Sequence, residues 1–318
     1  MSKTINSSTS FSVASKVKDY FQLVKFTLSF TVVFTCVICY LLAPNIVEYN
    51  LKEIVLLFVA GMLVTGSANA INQAVEKDTD ALMKRTGKRP VASGRMSQQE
   101  AYTFAFIAGV AGVFMMGYFF KDADGNFNWD AFWLSAFSLF LYAYVYTPLK
   151  KVSSVSVLVG AFPGALPCLI GWVAATGIFS PFAEVPGTGI SNGAGWALFG
   201  IQFLWQFPHF WAIAWVAHND YSKAGFKLLP GGGEPTKVTA LQSIAYALMM
   251  VPVGILPYYF GLTGVVSMYI VIAANLFIVM QCVRLYIEMD VKAARRVMFS
   301  SYIYLPVVFL ALLGDKIT

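Results

Sequence analysis

An all-α, polytopic membrane fold is predicted for this chain, with about nine transmembrane helices in two similar helical halves around a central cavity. Composition is the first ground: 58% of the 318 residues are hydrophobic and 12% are charged, about half the charged share of a soluble domain. The second is the recurrence of apolar runs from residue 22 to residue 314 with no long polar interval. That continuity marks a single transmembrane domain over residues 1–318 rather than two soluble ones. The third is charge placement, because the N-terminus and the loops after the second, fourth, sixth and eighth runs, together with the run ends that adjoin them, hold 19 of the 22 Lys and Arg residues.

Residues 1–20 form a polar, Ser-rich N-terminal segment with Lys3, Lys16 and Lys18. The first apolar run, residues 23–43, is about 20 residues long, enough to span a bilayer. A cleaved signal peptide has a shorter core, so a retained helix is expected; a mitochondrial transit segment is the alternative, but Arg is absent there. Further spans are expected at 53–75, 101–120, 131–147, 155–177, 194–216, 240–260, 263–284 and 298–314. The positive-inside rule then places the N-terminus and the loops 76–100, 148–153, 217–238 and 285–297 on the cytoplasmic side, and the C-terminus outside. Two acidic loops, after the second and sixth spans, thereby share one face of the membrane and can share one cavity.

Other features carry plainer readings. The net charge of +6 accompanies no nucleic-acid motif and is explained by topology. Cys36, Cys39, Cys168 and Cys282 lie in apolar runs without zinc or disulfide spacing, as packing residues do. Trp129, Trp133, Trp172, Trp196, Trp205, Trp211 and Trp215 mostly sit near span ends, where interfacial anchoring is the default. Gly160 and Gly164, beside Pro163 and Pro167, fit close helix packing and a kink.

The chemistry concentrates in residues 69–95. Asn72, Glu76 and Asp80 are spaced i, i+4, i+8 and share one helical face. An amide and two carboxylates suit Mg²⁺, which is typically held by one or two carboxylates together with substrate phosphates. Asp78 points elsewhere on an unbroken helix. A solvated helix end is the competing explanation, but ionisable groups facing a bundle cavity in a membrane are costly and usually functional. Arg85 and Arg89, again four apart, either fork onto phosphate oxygens or set topology with Lys84 and Lys88.

Three ordered segments carry a family resemblance. They are Asn69-x2-Asn72-x3-Glu76-x3-Asp80-x2-Met83-x-Arg85-Thr86-x2-Arg89-Pro90, then YVYTPLKK at 144–151, and WQFPHFWAIAWVAHNDYSKAG at 205–225. Together they resemble the intramembrane aromatic prenyltransferase (UbiA) superfamily, and within it the branch that farnesylates haem. Glu76 replaces a common Asp, Lys151 replaces an Arg, Ser156 stands where Asn is frequent, and Ala224 occupies the place of a second acid four residues after Asp220.

The resemblance implies a mechanism. Asn72, Glu76, Asp80 and Asp220 would hold Mg²⁺ on farnesyl diphosphate, while Arg85, Arg89, Lys150 and Lys151 neutralise its oxygens. Tyr146 would orient the diphosphate or stabilise the allylic cation, with an interfacial tyrosine as the alternative. The acceptor would be the vinyl group of haem B, giving haem O in haem A biosynthesis. His209, with Trp205, Gln206 and Asn69, would face the haem, although a structural histidine and an interhelical asparagine are equally open. His218 reads as solvated surface, and Lys223 and Lys227 either meet haem propionates or set topology. Implied partners are the lipid bilayer and haem A synthase or terminal-oxidase assembly factors. The implied location is a bacterial cytoplasmic membrane, or alternatively the mitochondrial inner membrane. Two other functions remain at this point: prenylation of a quinone precursor such as 4-hydroxybenzoate, and secondary transport.

Overall fold

The computed structural model describes residues 13–317. Residues 1–12, including Lys3 and most of the expected polar N-terminal segment, lie outside the described residues. The described chain is a helical bundle. Its helices are α1 (Val13–Leu23), α2 (Phe26–Leu42), α3 (Leu51–Val75), α4 (Lys77–Leu82), α5 (Gln98–Phe119) and α6 (Trp129–Phe140), followed by a π-helical turn, Leu141–Tyr146, and the short α7 (Thr147–Leu149). The second half comprises α8 (Val155–Thr176), α9 (Gly193–Val216), α10 (His218–Lys223), α11 (Lys237–Tyr259), α12 (Val265–Glu288) and α13 (Val291–Gly314).

Local chemistry sets several starts. The side chains of Asn50, Ser97, Asn128 and Asp290 accept from backbone N–H groups of the first turns of α3, α5, α6 and α13, satisfying donors that a helix N-terminus leaves unpaired. At the other end of α8, Gly177 takes the left-handed conformation at φ 69 that stops the helix.

Seven helical runs are each long and apolar enough to cross a membrane, and the pair α1–α2, bent by 52°, adds an eighth. The expected count of nine is therefore not reproduced. The remaining candidate is α9, 24 residues long, whose apolar sequence is interrupted by Gln202, Gln206 and His209. The first expected span starts three residues later than expected, at Phe26, because the chain breaks at Val24 and Lys25 between α1 and α2.

The helices pack as α3 on α5, α2 on α8, α9 on α8, α11 and α13, and α12 on α11 and α13. Between α2 and α8 the backbones touch: a Cβ on Gly171 would lie 2.0 Å from the carbonyl oxygen of Cys36. Such contacts hold helices together in lipid, where apolar surface gains little by leaving an equally apolar solvent. Trp129 and Trp133 face outward as expected, but Trp172, Trp205, Trp211 and Trp215 are core residues, with the Trp172 indole donating to Asn192. All four cysteines are buried and unpaired.

Candidate active site

The site is built around the break in the first span. Lys25 adopts a left-handed conformation at φ 48, so the carbonyls just before it lose their i+4 helical partners, and Gln22 O keeps a single backbone bond from Lys25 N at 3.2 Å. Polar side chains of α3 replace them. Gln73 Nε2 donates to the carbonyls of Gln22 and Leu23 at 2.8 and 2.9 Å, and Asn69 Nδ2 reaches the Val24 carbonyl at 3.3 Å and Ser29 Oγ at 3.0 Å. In a bilayer each unsatisfied backbone group costs several kcal/mol, so these amides make the break tolerable. The break turns Lys25 inward, where its ammonium donates to Asn72 Oδ1 at 2.7 Å.

Asn72, Glu76 and Asp80 do share a face. Helix α3 kinks at Glu76, yet Glu76 N still donates to Asn72 O at 3.0 Å and Asp80 N to Glu76 O at 2.7 Å, so the four-residue ladder continues into α4. All three line a cavity of about 400 Å³, while Asp78 is exposed. Asn72 Nδ2 donates to Glu76 Oε2 at 2.9 Å, and Lys150 pairs with Glu76 Oε1 at 2.5 Å. Arg89 pairs with Asp80 Oδ2 at 2.7 Å. Asp80 Oδ1 is buried and has no hydrogen-bond partner among the described residues.

Arg85 and Arg89 follow α4 in a series of turns rather than on a helix, yet both line this cavity. Arg85 Nη2 donates to the Tyr221 hydroxyl at 3.0 Å. Lys25, Arg85, Arg89 and Lys150 thus face two carboxylates, Glu76 and Asp80, and leave two positive charges uncompensated. Burial pulls the Lys150 ammonium below its ordinary value, and the adjacent Glu76 opposes that pull. The cavity is consequently prepared for a multiply charged anion.

A second, apolar chamber of about 640 Å³ adjoins it. Leu28, Tyr142, Tyr146, His209, Phe210 and Tyr302 line both spaces and form the collar between them. Tyr142 and Tyr146 come from the π-helical turn, a distortion frequent at functional sites. The Lys150 ammonium lies 5.0 Å from the Tyr146 ring centre. His209 Nδ1 is bonded to Ser301 Oγ at 2.8 Å, and its ring stacks on Trp205 at 4.5 Å. The Trp205 indole donates to the Ser301 carbonyl at 3.0 Å, so α13 fixes both rings. Asn69, Trp205 and Gln206 line the apolar chamber.

The two glycines of α8 acquire a specific reason here. A Cβ on Gly160 would stand 2.6 Å from the Tyr146 ring, and one on Gly164 would stand 1.9 Å from Gln206 Oε1. They admit side chains to the cavity wall rather than a neighbouring helix backbone. Gly160→Ala is expected to displace the Tyr146 ring and to lower kcat on the order of 10²-fold, measured on variant protein still inserted in membranes.

Other expected residues lie apart. Lys151 is exposed and outside the cavity lining. Asp220 is half-buried on α10 and does not line the cavity, whereas its neighbour Tyr221 does. The two loops nonetheless meet, because Lys227 N donates to the Lys150 carbonyl at 2.9 Å. Lys223 and Lys227 have exposed side chains, and His218 pairs with Glu234 at 2.9 Å. Lys25, Gln73, Tyr142, Tyr221 and Tyr302 were not anticipated. Only Lys25 had a legible signal, as a cation inside an apolar run.

The donor set suits a hard divalent cation. Among the described residues no three His, Cys, Asp or Glu side chains form a ready metal cluster. Two carboxylates on one face, one with an open buried oxygen, are nevertheless the protein share expected for Mg²⁺ that also binds substrate phosphates. The Asn72 side-chain Oδ1 is already taken by Lys25, so Asn72 positions Lys25 and Glu76 in this arrangement.

The sequence profile of the UbiA prenyltransferase family matches residues 32–303. The chain belongs to the UbiA prenyltransferase family. It is a transmembrane prenyltransferase. The protoheme IX farnesyltransferase of Cytophaga hutchinsonii is 42% identical over 305 residues, covering 96% of this chain and 100% of that protein. The enzyme of the same name from Flavobacterium psychrophilum is 41% identical over 312 residues, covering 96% of each. Among solved structures, a digeranylgeranylglyceryl phosphate synthase superimposes with a TM-score of 0.74 at 19% identity, covering 95% of this chain and 98% of that one. A UbiA homolog from Archaeoglobus fulgidus, bound to GPP and Mg²⁺, gives 0.63 at 15% identity over 92% and 99%. These two likenesses establish the UbiA fold, and a divalent metal with a prenyl diphosphate is established for the homolog.

Proposed function

We propose that this UbiA-family enzyme transfers the farnesyl group of farnesyl diphosphate to a vinyl group of haem B, giving haem O. The observation that carries the reading is the paired cavity: a cationic mouth against an apolar chamber, with an aromatic collar where they meet. Lys25, Arg85, Arg89 and Lys150 take the diphosphate oxygens, and the apolar chamber takes the isoprenoid chain. Glu76 and Asp80 would hold Mg²⁺, and Asn72 and Asp220 would supply further oxygen ligands to it. Bound there, Mg²⁺ supplies charge stabilisation to the departing diphosphate.

The allylic C–O bond breaks with both electrons leaving on the diphosphate, whose charge the four cations neutralise. The π faces of Tyr142 and Tyr146 border the resulting cation and stabilise it, and the apolar wall keeps water from it. The terminal carbon of the haem vinyl group bonds to C1 of the farnesyl cation. Water then adds to the carbon next to the porphyrin ring, a proton departs, and a hydroxyethylfarnesyl group remains. His209, held through Nδ1 by Ser301, makes no hydrogen bond through Nε2 among the described residues and offers that nitrogen to the haem.

The test is an incubation of the membrane-inserted protein with farnesyl diphosphate, Mg²⁺ and haem B, followed by mass spectrometry. Haem O is the expected product. Prenylated 4-hydroxybenzoate in a parallel incubation, with no haem O, overturns the acceptor and leaves the donor site intact. A secondary transporter is disfavoured by the position of the acids, which stand at the end of α3 beside four cations rather than at mid-membrane.

A further inference from the structure

The turn of α13 that holds Ser301 against His209 and presents Tyr302 to the cavity has another face, and that face borders a separate groove of about 620 Å³ between α12 and α13. Phe277 and Ile278 of α12 and Phe299, Ile303 and Val307 of α13 form its apolar floor. Phe277, Phe299 and Ile303 are 49%, 59% and 65% exposed, so the floor faces the bilayer. Lys292, Arg295 and Arg296 stand at one end, at the start of α13. Arg296 is engaged by Glu288 at 2.9 Å, but Lys292 and Arg295 are exposed and have no carboxylate partner among the described residues. That end lies beside the start of α11, since the Lys237 ammonium is 5.5 Å from the Tyr286 ring centre.

Gln281 is the second, independent observation. It is 4% exposed, lines the groove, and makes no hydrogen bond among the described residues. The buried amides Asn69, Asn72, Gln73 and Gln206 each donate a hydrogen bond within the protein. An amide left unpaired in an apolar setting costs free energy, so a polar group from outside the chain is called for. Gln281 lies seven residues before Glu288, about 10 Å below the hairpin turn. That depth is near the boundary between lipid headgroups and hydrocarbon.

We propose that the α12–α13 groove binds one anionic phospholipid. Lys292 and Arg295 hold its phosphate, Gln281 donates to an ester carbonyl, and an acyl chain lies along Phe277, Phe299 and Ile303. The apolar floor selects a lipid over a free anion, and the paired cations select an anionic headgroup over a zwitterionic one. The lipid backs the residues 299–303 turn, steadying Ser301 against His209 and Tyr302 in the collar, so anionic lipid raises turnover. This inference rests on the membrane-embedded fold and not on the haem acceptor, and its first readout needs no acceptor.

The test compares the full-length protein in vesicles of phosphatidylcholine alone and of phosphatidylcholine mixed with phosphatidylglycerol. Native mass spectrometry after release is expected to show one retained phosphatidylglycerol. The double variant Lys292→Gln/Arg295→Gln should lose that preference by about 25-fold, about fivefold for each cation, and should lose the phosphatidylglycerol stimulation of turnover. Gln281→Leu, close in volume and needing no partner, should weaken retention with the folded yield unchanged. Lys84→Gln/Lys88→Gln removes two exposed cations elsewhere on the charged face and should retain the lipid like the parent. Equal retention by parent and by both groove variants overturns the proposal. So does an equal loss in the Lys84/Lys88 control, which would mean diffuse surface attraction, and so does displacement of phosphatidylglycerol by inorganic phosphate.

Discussion

Asp80→Asn is expected to reduce turnover at least 10³-fold at ordinary Mg²⁺ while leaving the protein folded in the membrane. The side chain is 1% exposed, one oxygen is paired with Arg89 and the other has no partner. Asn keeps the shape and one acceptor oxygen but removes the charge that a hard cation requires. The Arg89 side chain, 19% exposed at the cavity mouth, turns to water, so the penalty of an uncompensated buried charge is avoided. Loss of an electrostatic group that acts on the leaving anion costs about 10² to 10³, and loss of the metal adds to it. Raising Mg²⁺ should restore part of the rate. Asp78→Ala, at an exposed position two residues away, should stay within about twofold, comparable to an ordinary surface change. Equal losses for Asp78 and Asp80, measured as kcat at saturating farnesyl diphosphate, would remove Asp80 from its assigned place.

Residues 69–89 were legible because helical periodicity is a local rule. Asn72, Glu76 and Asp80 recur every four residues, and their common face survives the kink at Glu76 because the backbone ladder does. Asp78 falls off that face for the same reason. The cavity partners outside this stretch follow from tertiary packing, which periodicity does not encode. Tyr142 and Tyr302 look like any aromatic residue in a span, and they become a collar only when the π-helical turn and α13 meet α9. Asp220 sits in a short helix after α9, and its register puts Tyr221, not the carboxylate, against Arg85. The sixth expected span, α9, departs from the simple apolar pattern at the polar residues that line the cavity, since a helix surrounded by other helices need not be as apolar as one that faces lipid. Lys25 is legible as a cation in an apolar run, but the break that turns it inward is not. Residues 23–43 have the length and apolarity of one helix, and nothing in their periodicity marks a left-handed residue near the start.

Lys25→Met is expected to lower kcat/KM for prenyl diphosphate by about 10² to 10³, as loss of one charged donor at a developing anion does. Met matches the length and apolar stem of Lys and removes only the ammonium. The helix break itself should persist, because it is held by Gln73 and Asn69 on the carbonyls of Gln22, Leu23 and Val24 and by Ser29 on Val24, none of which involves the Lys25 side chain. The loss then belongs to the anion site and to Asn72, whose carbonyl oxygen is freed. Lys25→Arg keeps the charge but replaces a compact ammonium by a planar fork, and should recover part of the rate. Thermal unfolding in detergent separates this from a structural role, since Lys25→Met should match the parent while Gln73→Leu, which leaves the Leu23 carbonyl without a partner and the Gln22 carbonyl with Lys25 N alone, should unfold at lower temperature. An unchanged kcat/KM in Lys25→Met would return Lys25 to topology, and the inward turn of the first span would then serve the fold and not the reaction.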